Sequence, residues 1–558
     1  MILSLEYLRQ LLDESLGHID APEGFGAVLE GSIAEGFGND SSDIDFLLLD
    51  PGEHAHPTMP TVLFIDGRRV EIRIRSAAQV REQAERVLTE ALAGPRHLAR
   101  ITLDELDRCQ RLLGGIPLLR SDLVESVRAV LSPAELAEAI GRWCHVLALR
   151  SARYAVALLA LGAREEAVRW ARTAVLRAAK TWAVRHGETY LGSKWISQQL
   201  GRISTGEELS ARLWALLDRD GPDDLSDDSY VKACLELAGE FGVADPVPSA
   251  ERVQLAAVRT VTTWQLGESV HVVRGRRDVF VLRSDAARVW RSLAFHVPLP
   301  VLLESMGPGA AAGPLIAQFH RLGLIGLRWQ GGGEIALTPP TTLSPSAVRP
   351  VLSVDGAVTA DDGPPVSLVP LPARRFAAAG MSLVWSNVMV ENAREDMIGA
   401  LAGEQWGVFS SASHRMLRKA CVGLLAAYGI NPVPAEEEAP LRVREIPELP
   451  PQVGQAIDAL ESDLKVADRA AGTHRLDALD AVVRWIRDVA DIEGFPSSFV
   501  SPAAWRETLD IGYDWVRLGA YLDADFPIEE ARDLLASGGS QPGLKPERDQ
   551  VSVGHAAG

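Results

Sequence analysis

Glu30-Gly31-Ser32-Ile33-Ala34-Glu35-Gly36-Phe37-Gly38-Asn39-Asp40-Ser41-Ser42-Asp43-Ile44-Asp45-Phe46-Leu47-Leu48 is the stretch on which the reading of this chain turns. A short β-prone segment, Ala27–Glu30, runs into Gly31-Ser32, where backbone N–H groups and a hydroxyl can face an anion at a turn that enters a helix. Asp43 and Asp45 follow at i and i+2 where the next strand, Ile44–Leu49, begins. A period of two places both carboxylates on one face of a sheet. Like charges so placed repel unless a cation joins them, and an oxygen-rich cluster open to phosphates suits Mg²⁺. Thr61–Ile65 and Val70–Ile74 read as two more strands around an Asp66-Gly67 turn, and Glu71 on the second offers a third carboxylate.

Working outward, Leu5, Leu8, Leu11, Leu12 and Leu16 mark an opening amphipathic helix, and helical periodicity resumes at Ala77. Residues 1–120 therefore read as an α+β domain. Residues 121–245 are Ala-, Leu- and Arg-rich and helical, with Gly187 where a C-terminal cap belongs. From Val253, β-prone pieces precede three helices, Ser284–Phe295, Pro298–Met306 and Pro314–Leu322, which sets a module at 251–338. The Pro-rich 339–380 reads as a linker, 381–538 as a second helical domain and 541–558 as a disordered tail. Residues 171–187 and 412–429 echo one another, each a basic amphipathic helix ending at Gly, which is weak grounds for a duplicated module. The expected class is α+β and multidomain.

Composition narrows the function. The 558 residues carry 56 Lys+Arg against 75 Asp+Glu, a formal charge of −19, with 47% apolar residues. Such a balance opposes broad nucleic-acid binding, which draws its affinity from cations on phosphates. The four cysteines form no C-x-x-C pair, so neither a zinc site nor a disulfide framework is expected. The N-terminus has acidic residues at helical spacing and no signal-peptide pattern, and the longest apolar run, Tyr154 to Ala163, is too short to span a bilayer. A cytoplasmic location without membrane contact is the expectation. G-x-x-x-x-G-K-[ST], H-E-x-x-H and G-x-S-x-G are absent, and His54 and His56 read as loop residues.

The combination of strand, Gly31-Ser32, spacer, Ser42-Asp43-Ile44-Asp45-Phe46 and the later acid Glu71 resembles the DNA polymerase β-type nucleotidyltransferase superfamily over about residues 25–75. The resemblance implies a mixed-sheet catalytic domain. It further implies transfer of a nucleotidyl group, expected to be AMP from ATP, with two Mg²⁺ ions. Asp43 and Asp45 would bridge both ions, Glu71 would hold the ion beside the acceptor and take its proton, and Gly31, Ser32 and Ser42 would meet the nucleotide. Many members have Asp where this chain has Glu71. The runs Ala179–Gly187 and Gly192-Ser193-Lys194-Trp195 are similar to the family's following helical domain, which makes Lys180 and Lys194 triphosphate candidates, with Arg177 and Arg185 behind them. Each is also readable as part of a solvated basic helix face.

A second resemblance lies in the module. Val279-Phe280-Val281-Leu282, Asp285–Trp290, Phe319 and Leu322-Gly323-Leu324-Ile325 are similar to PqqD-like domains, which accompany enzymes that modify ribosomally made precursor peptides (RiPP biosynthesis). The resemblance implies that a leader peptide adds a strand to Val279–Leu282 and fills a groove beside Phe319. A DNA-binding winged helix is the rival reading, but its recognition helix would offer only His320 and Arg321. A structural spacer is the third. The leading expectation is a nucleotidyltransferase acting on a captured precursor peptide; the alternatives are an aminoglycoside-type transferase acting on a small molecule and a catalytically silent peptide-delivery scaffold.

Overall fold

The computed structural model describes residues 3–39, 41–53, 56, 60–98, 100–217, 226–243, 249–266, 269–274, 278–282, 284–307, 312–335, 373–428, 430, 432–446, 449–462 and 466–489. The described residues fall into two compact units, one ending at Leu136 and the other beginning at Ala137. The expected tail and the bulk of the expected linker lie outside the described residues. The fold is α+β with a mixed five-stranded sheet. No helix among the described residues is long and apolar enough to cross a membrane.

The first unit runs α1 (Leu5–Leu16), β1 (Gly26–Glu30), α2 (Gly31–Ala34), β2 (Ile44–Asp50), β3 (Thr61–Ile65), β4 (Arg68–Ser76), α3 (Ala77–Ala93), α4 (Pro95–Leu98), α5 (Leu103–Gly114), β5 (Ile116–Leu119) and α6 (Ser121–Arg128). Ser4 caps α1 by accepting from the Tyr7 N–H, and the predicted leucine stripe is buried at Leu8, Leu11 and Leu12. The sheet order is β3-β4-β2-β1-β5. β2 lies parallel to β4, and the other pairings are antiparallel. All seven residues of β2 are buried, as befits a central strand covered on both faces. Asp66 and Gly67 both take positive φ, 50° and 72°, as a two-residue hairpin turn with the right twist requires. Ser76 and Gln79 form a reciprocal cap that starts α3 at Ala77, where the helical period begins.

The second unit opens with long helices, α7 (Pro133–Ala160, entering from the first unit's last residues) and α8 (Arg164–Arg185). α9 (Ile196–Gly201), α10 (Glu207–Leu217) and α11 (Asp227–Glu240) follow. Next come β6 (Val253–Ala257), β7 (Val261–Leu266), β8 (Ser269–Arg274), β9 (Asp278–Leu282), α12 (Ser284–Arg291), α13 (Leu299–Met306), α14 (Ala312–Arg321), β10 (Ile325–Trp329) and β11 (Gly333–Glu334). They build two small sheets, β11-β10-β6 and β7-β8-β9. α12 stops at Arg291, short of the expected Phe295, because the chain turns through a left-handed His296 (φ 64°) ahead of Pro298. One apolar core runs from α7 and α8 through this module, from Ala148 to Ile335. The unit closes with α15 (Ala373–Ala402), α16 (Trp406–Ala427), α17 (Ala439–Val443), α18 (Pro451–Ser462) and α19 (Arg469–Val489). α15 begins eight residues before the expected 381, since Ala373–Ala379 are mostly strong helix formers.

Candidate active site

The register of the sheet assembles the site. β2 and β4 run in parallel with Asp45 opposite Glu71, and β1 runs antiparallel to β2 with Glu30 opposite Asp45. Three acids thus lie in a row across three strands. Asp43, just ahead of β2, joins Asp45 and Glu71 in a cluster whose ligand atoms all lie within 4.8 Å of one another. The turn before it is braced from within. The Ser42 hydroxyl accepts from the Asn39 N–H at 3.0 Å and donates to Asn39 Oδ1 at 3.3 Å, while Ser41 N–H donates to that same oxygen at 3.0 Å. Ser42, expected at the nucleotide, is bonded to Asn39 in the approach to Asp43.

Gly31 has φ +75° and backs directly onto the cluster: a Cβ there would fall 2.2 Å from Asp45 Oδ2. Conformation and close approach both demand glycine. Ser32 is buried, and its carbonyl accepts from the N–H groups of Phe37 and Gly38 at 2.9 Å each, which closes the turn after one helical loop.

Three arginines surround the acids. Arg69 donates to Glu71 Oε1. Arg73 lies 3.7 Å from Glu30 Oε2, 3.8 Å from Asp45 Oδ1 and 3.7 Å from Glu71 Oε2. Arg111, on α5, donates to Asp45 Oδ2 at 3.2 Å and to Asp107 at 2.6 Å. Burial nonetheless pushes the Asp45 carboxyl up to about 6 against the pull of Arg111, with Asp43 and Glu71 adding to the rise. Glu30 is pushed up to about 7, again by burial and against Arg73 and Arg111. The cluster is short of positive charge. An all-carboxylate donor set this close, in such surroundings, fits a hard divalent cation.

The other expected site residues belong to the second unit. Lys180 is buried, and its ammonium donates to the Tyr190 carbonyl and to Gln199 Oε1, so its charge is spent on holding that loop. Lys194 pairs with Asp396 at 2.5 Å and lies 5.3 Å from the centre of the Trp195 ring. Arg177 donates to Ser151 Oγ and Arg185 to the Gly242 carbonyl. Val279, Phe280, Val281 and Leu282 lie on β9, which among the described residues pairs only with β8 and so forms a sheet edge. Phe319, expected to line a groove, is instead a core residue, 1% exposed, with its ring edge-on to Trp290 at 5.2 Å. An apolar helix position reads the same in sequence whether it faces a groove or a core. His320 is buried and bonded to the Ile325 carbonyl, with burial pushing it down to about 4, and Arg321 pairs with Glu166 at 2.7 Å. The two residues a DNA-binding helix would need are both engaged within the protein. His56 pairs with Asp50, and His54 lies outside the described residues.

Sequence reasoning missed Glu30, Arg73 and Arg111. Glu30 and Arg73 carried a signal, since a period of two puts Arg73 on the face of Glu71 and Glu30 closes the strand that leads to Gly31. Arg111 carried none. No protein-family model matches the chain, and no curated protein matches it.

Proposed function

We propose that the chain is a divalent-cation-dependent nucleotidyltransferase that moves a nucleotidyl group, AMP from ATP, onto a ribosomally made precursor peptide. The observation that carries the reading is the convergence of Asp43, Asp45 and Glu71 against the Gly31 turn. Asp43 and Asp45 would hold both cations and Glu71 the one beside the acceptor, and Mg²⁺ when bound supplies charge stabilisation to the attacking and leaving oxygens. The remaining work falls to the chain. Gly31 and Ser32 offer their backbone to the phosphates with no side chain in the way at Gly31. The Asn39–Ser42 brace holds Asp43 at the head of β2, and the parallel register fixes Asp45 against Glu71. Glu71, steadied by Arg69, would accept the acceptor's proton as the acceptor atom bonds to the α-phosphorus and the bond from that phosphorus to the departing pyrophosphate breaks.

The peptide is proposed as acceptor because β9 is a sheet edge, where an extended segment can add a strand, and because His320 and Arg321 are engaged internally. The burial of Phe319 favours a second reading, in which the module is structural and the acceptor a small molecule. The test is to incubate the full chain with α-labelled ATP, MgCl₂ and candidate precursor peptides. A peptide mass gain of one AMP with pyrophosphate release supports the reading. Absence of pyrophosphate release with every nucleoside triphosphate, or release unaffected by Asp45→Asn, overturns it.

A further inference from the structure

Resting on that reading, we propose that Arg111, bonded to Asp45, is a triphosphate-contacting residue that exchanges this bond for phosphate oxygens when cation and nucleotide bind. Its guanidinium straddles both halves of the site. Nη1 donates to Asp45 Oδ2 at 3.2 Å and lies 3.4 Å from where a Cβ on Gly31 would be. Nε is held by Asp107, one helical turn back on α5, at 2.6 Å. The neighbouring Gln110, 2% exposed, donates to Glu35 Oε1 at 2.6 Å, so α5 is pinned to the Gly31–Glu35 turn by one residue and to the carboxylates by the next. The charges facing Arg111 are Asp45, Asp107 and Glu30, with Arg73 as the like charge on the sheet.

A cation held by Asp43 and Asp45 competes with Arg111 for the same acidic charge. Arg73 already sits among Glu30, Asp45 and Glu71 and is the standing counter-charge of that row. Arg111 meets the sheet acids at Asp45 Oδ2, with Asp107 keeping it beside the Gly31–Ser32 turn. A displaced guanidinium there presents a planar fork of donors, the geometry that matches phosphate oxygens. Arg111 thus opposes the bare cation and favours the cation together with a triphosphate.

That pairing of opposite signs is the test. Mn²⁺ binding to the full chain is measured by electron paramagnetic resonance, and ATP binding in saturating Mn²⁺ by equilibrium dialysis, for wild type and Arg111→Gln. The expected result is Mn²⁺ bound several-fold more tightly by the variant, and ATP bound about ten-fold or more weakly, the scale of a lost charge-assisted hydrogen bond. If both affinities fall together in a variant of unchanged melting temperature, or neither moves, the proposal is overturned. Arg111→Lys keeps the charge and loses the fork, and covers the case in which the glutamine variant does not fold. It is expected to leave Mn²⁺ binding unchanged and to weaken ATP a few-fold, and undiminished ATP affinity overturns the proposal. A wild-type chain that binds neither Mn²⁺ nor ATP overturns the transferase reading itself, which separates the two failures.

Discussion

Two buried acids in this protein, each flanked by arginines, are in opposite electrostatic states. Glu461 on α18 is 3% exposed and is met by Arg169 at 2.8 Å and Arg418 at 2.6 Å. Burial alone would raise its carboxyl, yet Arg418 first, then His414 and Arg169, hold it down at about 2. Asp45 is 7% exposed and also meets two arginines, but at 3.2 and 3.8 Å, and it shares Arg73 with Glu30 and Glu71 and Arg111 with Asp107. Its carboxyl rises to about 6. The first cluster has its charge made good by the chain, and the second has more acid than the chain neutralises. A buried acid with its partners complete serves the fold, whereas one left short marks a place for something from outside.

The same chemical change in the two places should therefore give opposite results. Asp45→Asn is expected to lower nucleotide transfer by at least about 10²–10³-fold, the scale on which preorganised electrostatic groups act, while leaving thermal stability unchanged or higher. Glu461→Gln is expected to cost about 3–5 kcal/mol in urea unfolding, because Arg169 and Arg418 are left buried without their acid. Equal stability losses in the two variants would break the contrast.

Acidity sharpens it further. The folded values of Asp45 and Glu30 lie above their unfolded values, so between pH of about 4 and 7 these two sites bind more protons in the folded chain than in the unfolded one. Stability of the β1–β2 region should fall as pH rises through that window, by on the order of a few kcal/mol, and then level. Glu461 has the reverse sign: its contribution is complete above its unfolded value near 4.5 and drains away as pH falls towards 2. Hydrogen exchange on β1, β2 and α18, with and without Mg²⁺, reads both, and Mg²⁺ should restore protection only in the first unit above pH of about 6. The smallest effect is Gln110→Ala, which removes the bond to Glu35 and is expected to cost about 1 kcal/mol and to raise the apparent Mg²⁺ requirement slightly.

What could be read from the chain follows the range of the forces involved. Gly31, Asp43 and Asp45 lie within fifteen consecutive residues, and the period of a strand suffices to place them together. Glu71 needed only the inference that a later strand brings its acid to the same face, and β4 pairs with β2 so that Glu71 stands opposite Asp45. Arg111 reaches Asp45 across 66 residues from a helix whose own pattern says only that it is amphipathic. Phe319 and Lys180, both buried, show a common limit: an apolar or basic helical position does not say whether the neighbour it meets is solvent, ligand or another helix. The helices of the second unit were legible as helices, while their ion pairs, such as Arg394 with Asp480, were not, since partners come from segments far apart in the chain.

The direction of the two parallel strands has a consequence for how such a protein can change over generations. Asp45 is the second residue of β2 and Glu71 the fourth of β4, so the acids sit where these strands begin. The connection from β2 to β3 leaves from Asp50, at the opposite end of the sheet. Insertions or deletions between Asp50 and Thr61 can accumulate without shifting a single acid, whereas one residue gained or lost between Gly38 and Asp43 would push Asp43 off its station. The lineage can lengthen at one rim of this sheet and must keep count at the other.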